Sequence, residues 1–202
     1  MNIWNETKCI LKSSIKNVKI LSPNTCNNTL NNLNIDENSI LGQVIINTGG
    51  IFIENYIRLF GSGDEKNSYN IYKYNLELKK YFDNDMIIIG DDVFGGIFSL
   101  NKEKNTILYF APDTLEWEDL EITYKDFIKY ASSEKIDEFY KSYKWSTFQE
   151  DIKEIKFNEG ILIYPFLWSN ECNIEKAKKD IVPFSELLQI NMEFREKFGI
   201  DD

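Results

Sequence analysis

Apolar runs separated by short glycine-rich breaks give residues 41–63 the pattern of a β-hairpin. Two such runs, 44–46 and 51–53, flank the sequence Asn-Thr-Gly-Gly at 47–50. Glycine readily adopts the positive φ that a tight reversal requires. The pattern therefore predicts two antiparallel strands joined by a turn at 47–50.

Three further apolar runs, at 86–89, 97–100 and 106–111, follow one another across short polar breaks. Runs of this length rich in isoleucine, phenylalanine and tyrosine are typical of strands. Consecutive antiparallel strands form a meander, which buries one face against helices. We therefore predict that these strands form the centre of the sheet.

The second half of the chain changes to the period of a helix. Potential N-caps or first-turn prolines precede amphipathic stretches and predict helices that begin near Thr123, Ser133, Ser146 and Pro183. Asp126 completes a capping box with Thr123. Residues 161–168 have strand character instead, and Pro165 places them at an edge or a bend. The pattern as a whole predicts an α+β fold with a mainly antiparallel sheet packed against helices.

The length and net charge of the chain limit its domain organisation and the kinds of partner it can bind. The chain has 202 residues, which suits a single domain, and its formal net charge is −10. This charge disfavours nucleic acid and anionic membranes as partners, since both attract basic surfaces, and favours a basic protein. No apolar run approaches the roughly 20 residues of a membrane span, and the N-terminus has no apolar signal segment, so we predict a cytoplasmic protein.

Cysteine and histidine usage limits the chemistry. Cys9, Cys26 and Cys172 have no CxxC spacing and predict neither a disulfide framework nor a zinc site. The chain has no histidine, which removes imidazole bases and the nucleophile systems that depend on them. We therefore expect no cofactor, no metal and no catalytic residue, although carboxylates, lysines and tyrosines leave an enzyme open.

The stretch Gly-Asp-Asp-Val-Phe-Gly-Gly at 90–96 has several interpretations. A metal site is disfavoured because Asp91 and Asp92 point to opposite sides of an extended chain, and a phosphate loop because the carboxylates would repel the anion. A carboxylate pair for glycoside hydrolysis, formed by Asp92 with Asp113 or Glu116, stays open. We favour a polar turn whose glycines let the next strand cross closely.

The order of this turn, a strand at 107–111, a tryptophan segment and a helix resembles the core of the SUKH superfamily. More closely, the chain is similar to a bacterial family, within or near that superfamily, that is catalogued only as a domain of unknown function. This similarity rests on TGG at 48–50, LFGSG at 59–63, GDDVFGG at 90–96, FAPDTLEW at 110–117 and YPFLW at 164–168.

The resemblance implies a curved sheet and a single domain over residues 1–202, with a core at about 41–131 and a helical extension at about 132–202. It also implies a role without established catalysis. Many members of the superfamily are immunity proteins that neutralise a toxin, often a nuclease, by protein contact. The resemblance therefore favours a non-enzymatic immunity or regulatory protein.

Residues 113–138 contain nine acidic residues against three lysines, a net charge of −6. An acidic face speeds the encounter with a basic partner such as a toxin nuclease. We therefore predict a contact face there, with Trp117 as an aromatic anchor and the Asp91-Asp92 corner beside it. The predicted binding residues are Arg58, Asp91, Asp92, Phe94, Asp113, Glu116, Trp117, Glu118 and Asp119.

Two other functions stay open. A carboxylate-based hydrolase or a small-ligand binder would use a cleft near Arg58, Asp92 and Asp113. A homo-oligomer would use exposed aromatic strands such as Tyr-Pro-Phe-Leu-Trp at 164–168.

Overall fold

The structure is a computed structural model that describes residues 3–24, 28–63, 70–83 and 85–200, so Cys26 lies outside the described residues. Seven strands form one antiparallel sheet, in which the order of the strands is their order in the chain. They are β1 (Val18–Leu21), β2 (Gly50–Ile53), β3 (Ile57–Phe60), β4 (Met86–Asp92), β5 (Ile97–Asn101), β6 (Thr106–Ala111) and β7 (Glu116–Asp119). A separate antiparallel pair consists of β8 (Glu159–Tyr164) and β9 (Lys178–Pro183).

Helices and a short 3₁₀ segment surround these strands. They are α1 (Ile3–Lys12), α2 (Thr29–Leu33), α3 (Ile40–Asn47), α4 (Ile71–Leu78), α5 (Tyr124–Ala131), α6 (Lys135–Phe139), the 3₁₀ segment Lys141–Tyr143, α7 (Phe148–Asp151) and α8 (Phe184–Phe198). Mixed α+β architecture with a mainly antiparallel sheet is therefore confirmed.

The large sheet is covered on both faces, because successive side chains of a strand point to opposite sides. On one face, Phe98 of β5 packs against Phe127 of α5, with ring centroids 4.6 Å apart. On the other face, Phe60 of β3 packs against Tyr74 of α4 at 4.3 Å. The β8–β9 pair and α8 lie on this second face, where Arg58 of β3 contacts them. The sheet is therefore buried between two layers.

The predicted hairpin with a turn at 47–50 is wrong, because residues 40–47 form α3. Ser39 caps this helix, and its side chain accepts a hydrogen bond from the Gly42 N–H at 2.9 Å. The chain reverses later, between β2 and β3. There Glu54 and Asn55 adopt positive φ values of 55° and 62° without any glycine.

Of the other local predictions, some are confirmed and some are corrected. The meander is confirmed as β4, β5 and β6, and the helices near Thr123 and Pro183 are confirmed as α5 and α8. A helix also follows Ser133, but α6 has only five residues. The cap at Ser146 does not form, because Ser146 donates two hydrogen bonds to the Glu175 carboxylate instead. α7 accordingly begins at Phe148.

Residues 132–202 were predicted to be a helical extension, but this region also contains strands. The strand predicted at 161–168 ends at Tyr164 and pairs with β9, which the sequence did not predict. The large sheet also begins at β1, ahead of the predicted core boundary at residue 41. None of the helices in the described ranges has the length and apolarity that crossing a membrane requires.

Candidate functional site

The Asp92 carboxylate ends β4 and is surrounded by four hydrogen-bond donors. Its side chain is completely buried. One oxygen, Oδ1, accepts from the N–H groups of Phe94 at 2.8 Å and Gly96 at 3.0 Å. The other, Oδ2, accepts from the hydroxyls of Tyr109 and Tyr140, both at 2.8 Å. Since a carboxylate has about four acceptor positions, its capacity is filled.

The two glycines of the motif make this arrangement possible. Gly95 has a φ of 96°, which lies in the region that favours glycine. A β-carbon at Gly96 would overlap both the Asp92 carboxylate and the Tyr109 hydroxyl. The predicted turn is therefore present between β4 and β5, but its aspartates face the interior instead of forming a polar corner in solvent.

Asp91 points to the opposite face of β4 and forms an ion pair with Arg58, in which each side chain is 1% exposed. The Tyr74 hydroxyl also donates to Asp91, at 3.2 Å. Arg58 donates further hydrogen bonds to the carbonyl oxygens of Phe157 at 3.0 Å and Glu159 at 2.6 Å. The pair therefore joins the large sheet to the start of β8.

Burial controls the protonation of these groups. Desolvation raises the pKa of Asp91 to about 7, although the charge of Arg58 acts in the opposite direction. Desolvation also raises the pKa of Asp92, against the hydrogen bonds from the two tyrosines. The pKa values of Tyr109 and Tyr140 are raised far above their ordinary range by burial and by the charge of Asp92. Both tyrosines therefore remain neutral donors.

Four predicted contact residues are consequently not on the surface. Arg58, Asp91, Asp92 and Phe94 are each at most 1% exposed, because helices and β8 cover both faces of the sheet. A hydrolytic or ligand-binding cleft at Asp92 is not supported either, since the carboxylate is inaccessible and its acceptor positions are occupied. In the described ranges, His, Cys, Asp and Glu side chains form no group of three that could hold a metal ion.

The remaining predicted residues lie at the β6–β7 hairpin, where β7 is an edge strand of the sheet. Glu116 and Glu118 are exposed and project from the same face, since they are two residues apart. Asp113 is half-buried and accepts a hydrogen bond from the Tyr143 hydroxyl at 2.6 Å. We call Asp113, Glu116 and Glu118 the acid cluster. None of its carboxylates forms an ion pair with any described residue.

Lysines balance most of the acids that follow in the sequence. The pairs are Asp119 with Lys104, Asp126 with Lys129, Asp137 with Lys16 and Lys144, and Glu138 with Lys141. Asp119 therefore differs from the other acidic residues of the predicted face. Much of the unbalanced negative charge of residues 113–138 lies at the acid cluster.

The pKa of Glu118 is raised by its surroundings in the acid cluster. Partial burial raises its pKa, and the negative charges of Asp113 and Glu116 raise it further. Burial is the larger cause of the shift, and the two neighbouring negative charges add to it. A cation supplied from outside would therefore relieve the repulsion.

Trp117 faces away from the acid cluster, because adjacent residues of a strand point to opposite sides. It is half-buried and packs edge-on against Phe110 at 5.6 Å and Phe82 at 5.3 Å. The predicted aromatic anchor therefore contributes mainly to the packing of β7.

Sequence reasoning missed the three tyrosines that organise both carboxylate sites. Tyr109, Tyr140 and Tyr143 donate to Asp92 or Asp113. Tyr140 and Tyr143 belong to the apolar stripe after Ser133, so the pattern indicates only core packing. Their hydroxyl partners lie far away in the sequence.

Together, the fold and these sites define a mixed α+β protein with a buried aspartate pair and a surface acid cluster. The chain belongs to the DUF2625 family, described as a protein of unknown function, whose family model matches residues 2–187. It is 29% identical over 203 residues to the "Putative uncharacterized protein YbfG" of Escherichia coli strain K12, which covers 96% of this chain and 93% of that relative. An "Uncharacterized protein" of Haemophilus influenzae is 28% identical over 177 residues, covering 80% of this chain and 75% of the relative. No solved structure matches.

This family match corrects the superfamily assignment. The SUKH resemblance is wrong, because the matching family is DUF2625 and nothing in the comparisons places the chain in the SUKH superfamily. The coarser prediction, a domain of unknown function with uncharacterised bacterial relatives, is confirmed.

Proposed function

We propose that this protein is a non-catalytic binding protein whose acid cluster contacts a basic surface of a partner protein. The observation that carries the proposal is the unbalanced charge at the β6–β7 hairpin. Asp113, Glu116 and Glu118 have no cationic partner among the described residues, whereas Asp119, Asp126, Asp137 and Glu138 each have at least one. A basic partner would supply the missing cations.

The position of the cluster also supports this role. Glu116 and Glu118 lie on an edge strand, where no further strand of the sheet covers them. Charged edge strands resist indiscriminate pairing with other chains. Uncompensated negative charge on such an edge increases the rate of encounter with a basic protein. It also disfavours the binding of acidic proteins.

The buried aspartates support a role without catalysis. Asp91 and Asp92 are the strongest candidates for acid–base chemistry in the sequence, but their hydrogen bonds and ion pair hold the fold together. The narrower expectation of a toxin nuclease as the partner came from the SUKH resemblance and is not part of this proposal. A basic protein of any role satisfies the charge argument.

The test compares two double charge reversals in the full chain. Glu116→Lys with Glu118→Lys reverses two exposed residues of the acid cluster. Glu150→Lys with Glu154→Lys makes the same change of net charge at two exposed sites elsewhere. Asp113 is left unchanged, because it also accepts the Tyr143 hydrogen bond.

Partners are captured from native lysate with each protein, identified, and then measured individually by surface plasmon resonance at low and high salt. We expect one basic protein whose affinity falls at least about tenfold with the acid-cluster reversal and stays unchanged with the control reversal. Higher salt should slow its association. Equal affinity for the two reversed proteins would refute the proposed face.

A further inference from the structure

The outer edge of β7 carries backbone hydrogen-bonding groups that the described parts of the chain leave unused. β7 ends the seven-stranded sheet and pairs with β6 on its inner side. Three of its four residues are exposed, whereas most residues of β2 to β6 are buried. A strand edge of this kind is a template for pairing with another chain.

The pairing with β6 shows which backbone groups of β7 face outward. The Leu120 N–H, directly after β7, donates to a carbonyl oxygen of β6 at 2.8 Å. Backbone groups alternate between the two edges of a strand, so those of Glu116 and Glu118 also face β6. Those of Trp117 and Asp119 face away. Within the described ranges, neither the N–H nor the C=O groups of these two residues form a hydrogen bond.

The acid cluster lies directly beside this open edge. Glu116 and Glu118 are exposed, and neither forms an ion pair with a described residue. A strand added antiparallel to β7 would exchange hydrogen bonds with Trp117 and Asp119. The two glutamates would then occupy the non-hydrogen-bonded positions, where opposite side chains approach most closely. Lysine or arginine at the opposite positions would supply the cations that the cluster lacks.

The other face of β7 favours an apolar residue. Trp117 projects from that face and packs against Phe82, with ring centroids 5.3 Å apart. In an added strand, the residue opposite Trp117 would lie beside this ring. The edge therefore matches a segment in which basic and apolar residues alternate. A second copy of this chain does not match, because pairing β7 with itself brings like charges together.

We infer that the partner binds by adding an extended strand of alternating basic and apolar residues to the free edge of β7. This inference rests on the proposed function, because it specifies how the basic partner of the acid cluster is recognised. Main-chain hydrogen bonds to Trp117 and Asp119 hold the segment on the sheet. The glutamates determine which side chains it carries on one face.

The test uses an end-blocked heptapeptide of alternating lysine and valine as the probe and follows the backbone amide signals of the full chain by NMR. We expect saturable binding that protects the Trp117 and Asp119 amide protons from exchange. Methylating the valine nitrogens, whose N–H groups would face β7, should weaken binding at least about tenfold. Methylating the same number of lysine nitrogens, which would face away from β7, is the control and should leave the affinity nearly unchanged.

The outcomes separate this inference from the proposed function. No saturable binding, or equal affinity of the two methylated peptides, would overturn strand addition and leave the charge argument in place. Glu116→Lys with Glu118→Lys should weaken binding of the unmodified peptide at least about tenfold, and the control reversal Glu150→Lys with Glu154→Lys should not. Wild-type affinity in the acid-cluster reversal would instead refute the acid cluster as a binding face, and the proposed function with it.

Discussion

Replacing Tyr140 with phenylalanine tests whether the buried Asp92 carboxylate is held by its four donors. The change removes one hydroxyl, which donates to Oδ2 at 2.8 Å, and leaves the aromatic ring in its packing position. Tyr140 and Asp92 are both completely buried, so solvent has no direct access to the vacated position. The variant therefore leaves a buried carboxylate with three donors instead of four.

The expected loss of stability follows from the charge of the acceptor. A hydrogen bond to a charged group contributes about 1.5–3 kcal/mol, more than one between neutral groups. We expect the free energy of unfolding to fall by about 2 kcal/mol. For a chain of this size, that loss lowers the melting temperature by about 4–8 °C.

The hydrogen bond from Tyr140 also determines how the loss of stability in the variant depends on pH. The hydrogen bond from Tyr140 lowers the pKa of Asp92, so its removal raises that pKa further above the ordinary value. The effect of the variant should therefore be largest at high pH, where Asp92 is ionised in the wild type. It should become smaller as the pH falls through the pKa of Asp92 in the folded protein.

Urea denaturation followed by tryptophan fluorescence measures the free energy of unfolding. Tyr130→Phe is the matched control, since Tyr130 is half-buried and its hydroxyl has no partner among the described residues. This control should change the stability by less than about 0.5 kcal/mol. A loss in Tyr140→Phe no larger than that of the control would refute the argument that these donors stabilise Asp92.

Three further predictions concern the same motif and its neighbour. Gly96→Ala should lower the free energy of unfolding by more than about 3 kcal/mol or prevent folding, because its β-carbon would overlap Asp92. Gly199→Ala is the control in the same urea titration. It should lose only about 1 kcal/mol, because the space around Gly199 is open. Arg58→Met should destabilise by about 3–5 kcal/mol, since it removes a buried ion pair and Asp91 must then be buried without its counter-charge or take up a proton, and a loss below about 1 kcal/mol in thermal melts would contradict this. The pKa of Asp91 in the folded protein, about 7, exceeds its ordinary 3.8, so its contribution to stability is complete below about pH 4 and is lost as the pH rises through about 7. The denaturation midpoint of the wild type relative to that of Asp91→Asn should therefore decline between those values, and an increase of this difference would count against the raised pKa.

Elements with local stabilising contacts could be predicted from the sequence. The meander β4–β6 has short connections, and α5 has both a capping threonine and an apolar stripe. The hairpin prediction at 47–50 failed because Gly49 serves a close approach of backbones and not a turn. A β-carbon at Gly49 would overlap the carbonyl oxygens of Ser22 and Gly63. Sequence alone does not distinguish these two uses of glycine.

The geometry of the Asp91–Asp92 site could also be predicted only in part from the sequence. Adjacency alone places Asp91 and Asp92 on opposite faces of β4, which the structure confirms. Their burial could not be predicted, because two of the four donors to Asp92 follow it by 17 and 48 residues, at Tyr109 and Tyr140. The unbalanced charge at Glu118 also depends on tertiary structure, since the sequence does not show which lysines reach which acids.

The buried motif and the surface acid cluster are parts of one structural unit. Tyr140 precedes the 3₁₀ segment Lys141–Tyr143 and Tyr143 ends it, and both rings pack on Phe94, at 5.6 and 5.4 Å. Tyr140 donates to the buried Asp92, while Tyr143 donates to Asp113 of the acid cluster. The motif therefore fixes the position of one surface carboxylate before any partner arrives. Under the function proposed above, a preorganised charge would lose little entropy on binding, so the buried aspartate would contribute to recognition without touching the partner.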